Sequence, residues 1–144
     1  MGTEDIRWHQ RFSNYQKALG KLEEVVIRAA DEDLSELEKE GLIHRFEYTY
    51  ELAWKTLQDL LRSKGYLELS GPNPVISQAF KDGIINDGEG WKKMKISREL
   101  TSHTYNSETA EDIAENIIKS YCDLLKALET ALIHEMKSGQ TGLF

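Results

Sequence analysis

The sequence predicts an all-α protein, a single antiparallel up-and-down helical bundle that spans residues 1–144. Three observations favour this class. Apolar residues recur at helical spacing over long segments, no segment alternates apolar and polar residues as a strand does, and the chain has only two prolines. A chain of 144 residues buries one sizeable core, so we expect one domain.

Three long helices and one or two short ones are expected. The first should begin at Thr3 and run to about Ala30. Ser35 and Glu38 form a capping box that starts the second long helix, because each side chain satisfies a free backbone N–H at that helix end. Gly65 is its natural stop, since glycine adopts the backbone conformation that ends a helix.

Two shorter helices follow the second long one. The spacing places the first behind an Asn73 cap, with Pro74 as its first helical residue and Gly83 at its end. Asp87 or Gly88 starts the other. We expect that helix to weaken near residues 101–107, where several Thr, Ser and Asn side chains compete for backbone hydrogen bonds.

The last long helix is capped by Asn106 or Ser107 and has a wide apolar face. Its seam follows a 4-3-4-3 spacing through Ala110, Ala114, Ile117, Tyr121, Leu124, Leu128 and Ala131, and it is flanked by Ile113, Ile118, Leu125 and Leu132. This face is wider than one neighbouring helix needs. The sequence therefore predicts a homodimer.

Composition limits the classes of function. The formal net charge of −7 argues against general affinity for nucleic acid, which depends on many Lys and Arg contacts to phosphates. No apolar run is long enough to span a membrane and no apolar signal core lies near the N-terminus, so we expect a cytoplasmic protein with no membrane partner. The single cysteine, Cys122, lies in an apolar helical pattern and is predicted to be a core residue.

The most chemically suggestive segment is 91–105, W-K-K-M-K-I-S-R-E-L-T-S-H-T-Y. Arg98 is a permanent cation whose planar fork of donors suits phosphate, and His103 is able to move a proton near neutral pH. In an unbroken helix, five residues place these two side chains about 140° apart around the axis. A shared site therefore needs the helix to end near Thr101, or Arg98 of one protomer to meet His103 of another.

Other charged residues near this segment are candidates for phosphate or substrate binding. Lys92, Lys93 and Lys95 lie just upstream of Arg98, although lysines in this pattern are more often a solvated helix face. Glu47 and Glu51 lie on the second long helix and complete this candidate set.

These carboxylates also have ordinary structural interpretations. Arg98 could pair with Glu51 or Glu99 instead of phosphate, and Glu51 with Lys55 looks like a surface pair one helical turn apart. In that case His103 would cap a helix end and Tyr105 would cover the core.

Sites that hold a metal or a cofactor have no signature in the sequence. It contains no H-E-x-x-H motif, no Cys and His cluster at zinc spacing, no Gly-rich phosphate loop and no paired Asp residues at two-metal spacing. We therefore predict no metal, no cofactor and no nucleotidyltransferase active site in this chain.

Two sets of residues resemble a known family. Segment 98–105 resembles the R-x4-H-x-Y signature of HepT-like proteins of the HEPN superfamily. Segments 45–57, 78–80 and 83–85 resemble the nucleotidyltransferase substrate-binding protein family. The resemblance covers the chain from residue 8 to about residue 132. It implies a four-helix bundle that dimerises, similar to the helical substrate-binding domain of aminoglycoside nucleotidyltransferases.

The resemblance also implies a partner and two activities. The partner is a separate small minimal nucleotidyltransferase that carries the metal-binding carboxylates, as in toxin–antitoxin pairs, and it would attach AMP to Tyr105. In HepT-like proteins the helical chain is a metal-independent ribonuclease. By that resemblance, Arg98 would hold the scissile phosphate and His103 would assist proton transfer, in a cleft between protomers.

Three hypotheses remain open at this point. In the first, the chain is a substrate-binding and partner subunit of a nucleotidyltransferase. In the second, it is a ribonuclease toxin that cuts RNA with Arg98 and His103. In the third, it is a structural adaptor in which the motif only stabilises the dimer.

Overall fold

The computed structural model describes residues 3–103 and 106–141, and within them every regular element is helical. The elements are α1 (Thr3–Asp31), α2 (Glu36–Ser63), α3 (Pro72–Lys81), α4 (Gly88–His103), α5 (Ser107–Asn116), a π-helical turn (Ile117–Tyr121) and α6 (Cys122–Thr141). The predicted all-α fold is confirmed. No helix in these residues is both long and apolar enough to cross a membrane.

Polar contacts between helices show that α1 and α2 are antiparallel. Near their connection, Arg28 pairs with Glu38, and toward the other end Arg11 pairs with Asp59 at 2.7 Å. The predicted capping box at the start of α2 is present. At the far end of α2, Gly65 has φ 105, a value that favours glycine over any residue with a side chain.

The segment from α5 to α6 runs in the same direction as α2. Lys39, near the start of α2, pairs with Glu111 of α5, whereas Lys64, just after α2, pairs with Glu135 of α6. The predicted Asn106 cap is confirmed, since its side chain accepts from the Thr109 N–H at 2.8 Å. α4 runs antiparallel to α2, since Trp91 packs at Tyr50 and Thr101 lies at Glu47. The four segments α1, α2, α4 and α5–α6 therefore alternate in direction, as an up-and-down bundle requires.

The core lies between α1, α2 and the α5–α6 segment, and it also includes buried residues of α3 and α4, such as Val75 and Met94. The apolar spacing of the sequence predicts an inward face of α2, and all of its residues are buried: Leu42, Phe46, Tyr50, Ala53, Leu57 and both Leu60 and Leu61. On α1 the same spacing places Ile6 inward and leaves Trp8 out, whereas Ile6 is 48% exposed and Trp8 is buried.

The π-helical turn was not predicted. It inserts one extra residue into the helix and shifts the inward face after it, although Leu128 of the predicted seam stays buried. Leu125 and Leu132 are buried, whereas Leu124 and Ala131, which the 4-3-4-3 spacing places on the seam, are only partly buried. Part of the wide apolar face that predicts a homodimer is thus buried within the chain itself. The homodimer stays a prediction.

Two predicted helix ends differ from the structure. α3 begins at Pro72 instead of Pro74, because Gly71 turns the chain with φ 85 and the fixed backbone angle of Pro72 suits a first helical residue. The expected weakening of α4 over residues 101–107 begins later than predicted, since α4 stays helical through Thr101 and Ser102 and ends at His103. There the Thr101 hydroxyl lies 2.7 Å from the Arg98 carbonyl oxygen, a local contact that helices accommodate.

Candidate functional site

The site lies where α4 packs against α2, and it begins with the anchoring of α4. The Asp87 side chain accepts a hydrogen bond from the Gly90 N–H at 2.8 Å, as an N-cap does. A side-chain carbon on Gly90 would lie 2.6 Å from an Asp87 carboxylate oxygen and 2.9 Å from Leu124. Glycine therefore allows the first turn of α4 to sit this close to α6.

The middle of α4 is held by Tyr121 from the π-helical turn. The Tyr121 ring stacks on Phe46 of α2 with centroids 5.4 Å apart. Its hydroxyl lies 2.6 Å from the buried Ser97 hydroxyl and donates to the Lys93 carbonyl at 3.2 Å. These contacts fix the helix one residue before Arg98.

Arg98 reaches across to α2 and pairs with two carboxylates. Its Nη1 lies 3.2 Å from Glu47 Oε2, and its Nε lies 3.3 Å from Glu51 Oε1. The Nε contact is ionic only, since this buried N–H has no acceptor at hydrogen-bond geometry. The alternative in which Arg98 pairs with Glu51 is therefore the arrangement that the structure contains, with Glu47 as an additional partner.

Hydroxyl groups complete the surroundings of Arg98. Nη1 donates to Ser102 at 2.6 Å and lies 3.4 Å from the Thr101 hydroxyl, which is itself 3.1 Å from Glu47. Sequence reasoning missed Thr101 and Ser102 as partners. They follow Arg98 by three and four residues, which places them on the same side of the helix. This spacing could have identified them as partners of Arg98.

Glu51 does not form the predicted surface pair with Lys55. It instead accepts a hydrogen bond from the Trp54 indole N–H at 3.1 Å and faces Arg98. The Lys55 ammonium lies 5.8 Å from the centre of the Trp54 ring, within the range of a cation–π contact. Glu51 pairs with Arg98 of α4 instead of Lys55, which explains why the predicted surface pair is absent.

A pocket with a volume of about 210 Å³ opens beside Arg98. It is lined by Tyr50, Glu51, Pro72, Lys95, Arg98, Glu99 and Ser102. Lys95 pairs with Glu99 at 3.0 Å, so both cations of the lining have carboxylate partners. The other two candidate lysines, Lys92 and Lys93, are exposed and do not line this pocket.

Tyr50 is an unexpected member of this pocket. Its side chain is 1% exposed, and its hydroxyl has no hydrogen-bond partner among the described residues. Burial raises the pKa of Tyr50 far above its usual value, and the charges of Glu51 and Glu99 raise it further. The hydroxyl is therefore protonated and able to donate. The sequence showed Tyr50 only as a core position, with no signal for a polar role.

Positions 98 and 103 lie on different sides of α4. Because α4 is helical through His103, the two positions lie about 140° apart around its axis. Arg98 faces α2, and position 103 shares the other side of α4 with Ile96 and Leu100, which are 47% and 41% exposed. The side chain of His103 and all of Tyr105 lie outside the described residues.

Other candidate sites are weaker. A larger open pocket of about 460 Å³ lies between the α1–α2 connection and α5, and none of the predicted site residues lines it. Within residues 3–103 and 106–141, no three His, Cys, Asp or Glu side chains are grouped so that they could hold a metal ion.

Comparison with known proteins identifies the class to which this helical bundle belongs. Residues 10–134 match the family described as nucleotidyltransferase substrate binding protein like. The match covers most of the chain, so the protein belongs to this family.

Two solved structures share the helical fold of this chain. A crystallised protein of Thermus thermophilus is 37% identical, with a TM-score of 0.71 over 79% of this chain and 94% of that one. A Haemophilus influenzae protein, described as revealing the fold of a substrate binding domain of a nucleotidyltransferase, is 23% identical, with a TM-score of 0.74 over 84% of this chain and 98% of that one. The latter likeness shows the fold alone.

A curated relative carries a different functional name. The Haemophilus influenzae protein named "Probable ribonuclease HepT" is 27% identical over 105 residues, which are 65% of this chain and 72% of that protein.

Proposed function

We propose that this chain is the substrate-binding and partner subunit of a two-component minimal nucleotidyltransferase system. A separate small nucleotidyltransferase supplies the metal-binding carboxylates, and Tyr105 is the residue to which it transfers AMP. Membership of the substrate-binding family supports the role. The pairing of Arg98 with Glu47 and Glu51 favours this role over catalysis.

Glu47 and Glu51 neutralise Arg98 within a single protomer. Catalysis of phosphate cleavage depends on donors and charges that are directed at the charge developing in the transition state. A guanidinium already paired with two carboxylates supplies less of that stabilisation, yet it still offers directional hydrogen bonds to a bound group. The arrangement therefore favours binding over self-contained catalysis.

The test is modification by the partner. The purified chain is incubated with a minimal nucleotidyltransferase with which it forms a complex, ATP and magnesium, and its intact mass is measured. We expect an increase by one adenylyl group that requires the partner enzyme. An unchanged mass under conditions in which the two proteins form a complex would count against the proposal.

The second candidate is a metal-independent ribonuclease that uses Arg98 and His103, and the geometry of α4 gives it one specific form. Since one protomer keeps the two positions about 140° apart, the site must combine Arg98 of one copy with His103 of another. The exposed pair Ile96 and Leu100, on the side of His103, is the surface against which we place the second copy.

The ribonuclease is tested by expression of three versions of the chain. If the chain is a toxin, the wild type should inhibit growth, and both Arg98→Ala and His103→Ala should lose that inhibition. Equal growth of all three, with no RNA cleavage by the purified protein, would eliminate this candidate.

A further inference from the structure

We propose that an acidic groove between the start of α2 and α5 is the surface on which the partner nucleotidyltransferase docks, and that the enzyme enters it with a lysine- and arginine-rich segment. This inference rests on the proposed role of the chain as a partner subunit. It adds to that role the place of contact and the charge of the partner's segment.

The groove consists of two adjoining cavities. The larger has a volume of about 460 Å³ and lies between the α1–α2 connection and α5, and the smaller, of about 210 Å³, lies between the first turns of α2 and α5. Lys39 and Glu111 line both cavities, so the two form one groove. It runs from Asp33 to Asn106, the cap of α5.

The most buried part of the groove, its floor, is apolar. It includes Leu34, Ala114 and Ile118, of which Ala114 is 3% exposed and the other two are partly buried against the core. Ile118 belongs to the π-helical turn, a kind of irregularity that is frequent at functional sites. An apolar floor within a polar rim is the usual anatomy of a protein–protein interface.

The rim of the groove is strongly acidic. Its charged residues are six carboxylates and two lysines: Glu32, Asp33, Glu36, Glu40, Glu111 and Glu115, with Lys39 and Lys119. Lys39 pairs with Glu111 at 3.2 Å, and the other lysine pairs with Glu115. Six negative charges minus two positive ones leave four for a cationic partner to neutralise.

Two of these carboxylates lie where the fold itself disfavours them. Glu32 and Asp33 follow the end of α1 at Asp31, and the negative end of a helix dipole repels negative charge. Arg28 contacts Glu32 at 3.3 Å but also pairs with Glu38. Asp33 forms no ion pair within residues 3–103 and 106–141. A cation from a partner would relieve the repulsion at this end of the groove.

The other end of the groove lies beside the proposed acceptor. Asn106 lines the smaller cavity and is joined to Tyr105 by one peptide bond, which spans about 3.8 Å between Cα atoms. An enzyme seated in the groove is therefore held close to the residue that we propose it modifies. Charge also selects this side of Tyr105, since α5 has four acidic residues and no basic one, whereas α4 has four basic residues and two acidic ones.

Lysine and arginine side chains suit both parts of the groove. Their aliphatic stems pack on apolar surface while their charged ends reach outward, here to the rim. A partner segment that presents several of them would cover the floor and neutralise the rim together. A free polyamine and a second copy of this chain are the other occupants, and the experiment distinguishes them.

The experiment compares two variants of the full chain that carry the same change of charge. The groove variant is Glu32→Lys with Asp33→Lys, and the control is Glu68→Lys with Asp123→Lys, at exposed residues that line neither cavity. Calorimetry measures the affinity of each for the enzyme of the adenylylation test, at about 50 mM and about 300 mM salt. Spermine is the polyamine probe, and light scattering gives the mass of the chain alone.

We expect the groove variant to bind the enzyme about tenfold more weakly than the wild type, or weaker still, and the control to bind within about twofold of the wild type. The affinity of the wild type should fall as salt rises, and that of the groove variant should fall less, because salt screens charges that it has lost. Asp33→Ala, which adds no lysine, should weaken binding by a smaller factor. Without the enzyme, the groove variant should melt at the same temperature as the wild type or higher, since lysine favours the end of α1.

Equal affinity of the groove variant and the wild type for the enzyme would overturn the inference. If the variant loses only spermine binding, the groove is a polyamine site. If it loses only self-association, the groove belongs to a second copy, and either result overturns the inference too.

Failure of this inference is distinguishable from failure of the proposed function. A chain that the enzyme adenylylates, but whose complex ignores the charge reversal, refutes only the docking surface. A chain whose complex depends on Glu32 and Asp33, but that is never modified, refutes only the transfer of AMP.

Discussion

The Tyr121 hydroxyl lies 2.6 Å from the Ser97 hydroxyl, and this contact joins the π-helical turn to the helix that carries Arg98. Both groups are buried. The same Tyr121 hydroxyl also reaches the Lys93 carbonyl, one helical turn earlier. The π-helical turn thus positions the face of α4 that lines the candidate pocket.

Tyr121→Phe should destabilise the protein by about 2 kcal/mol, because Ser97 loses its buried partner. For a chain of this size the melting temperature should fall by about 4–8 °C. Tyr66→Phe is the control, since the hydroxyl of Tyr66 lies at the surface with a long 3.4 Å contact to Asp82, and we expect a change within about 0.5 kcal/mol. Equal melting of the two variants would show that the Tyr121 contact does not hold α4.

Gly90→Ala should destabilise the protein by about 1–3 kcal/mol, because the added carbon would lie 2.9 Å from Leu124 and even closer to the Asp87 carboxylate. Gly20→Ala is the matched control on α1, where nothing lies within 4 Å of the added carbon. That change should stabilise the helix by about 0.5–1 kcal/mol. Urea unfolding measures both, and a stable Gly90→Ala variant would contradict the close approach of α4 to α6.

Leu100→Glu should convert the predicted homodimer to a monomer, because it places a charge in the middle of the exposed apolar surface of Ile96 and Leu100. Light scattering after size exclusion measures the mass. Leu67→Glu, at a residue that is 66% exposed in the α2–α3 connection, is the control and should leave the mass unchanged. A dimer that persists in Leu100→Glu would place its interface elsewhere.

Cys122 should make stability fall at alkaline pH. Burial raises the pKa of its thiol from 9.0 to about 11, with a smaller contribution from Glu23. The unfolded thiol ionises first, so the contribution of this group to the free energy of unfolding is complete below pH 9 and is lost as the pH rises toward 11.

Urea unfolding at about pH 8 and about pH 10.5, on either side of the ionisation of the unfolded thiol, measures this loss. In Cys122→Ala the decrease between the two pH values should be smaller than in the wild type. The same decrease in both proteins would show that Cys122 does not contribute.

The architecture could be predicted from the sequence because caps and apolar spacing are local signals. The Ser35 and Asn106 caps and the inward face of α2 depend on neighbours within a few residues. The π-helical turn could not be predicted from apolar spacing, and the contacts of its Tyr121 with Phe46 and Ser97 join residues that are far apart in the sequence.

Prediction of the candidate site was limited by contacts between helices. The sequence indicated Arg98 and its alternative partner Glu51, but the choice between carboxylate and phosphate depended on how α2 and α4 pack. Tyr50 follows the apolar spacing of α2 and looks like any core aromatic residue. Only the packed structure shows that its hydroxyl has no partner among the described residues and that its side chain lines a pocket.

The most direct test of the proposed function is to locate the modification after incubation with the partner nucleotidyltransferase, ATP and magnesium. Peptide mapping by tandem mass spectrometry should place one adenylyl group on Tyr105, and Tyr105→Phe should remain unmodified while still forming the complex. An adenylyl group on another residue, or one that persists in Tyr105→Phe, would contradict the assignment of Tyr105 as the acceptor.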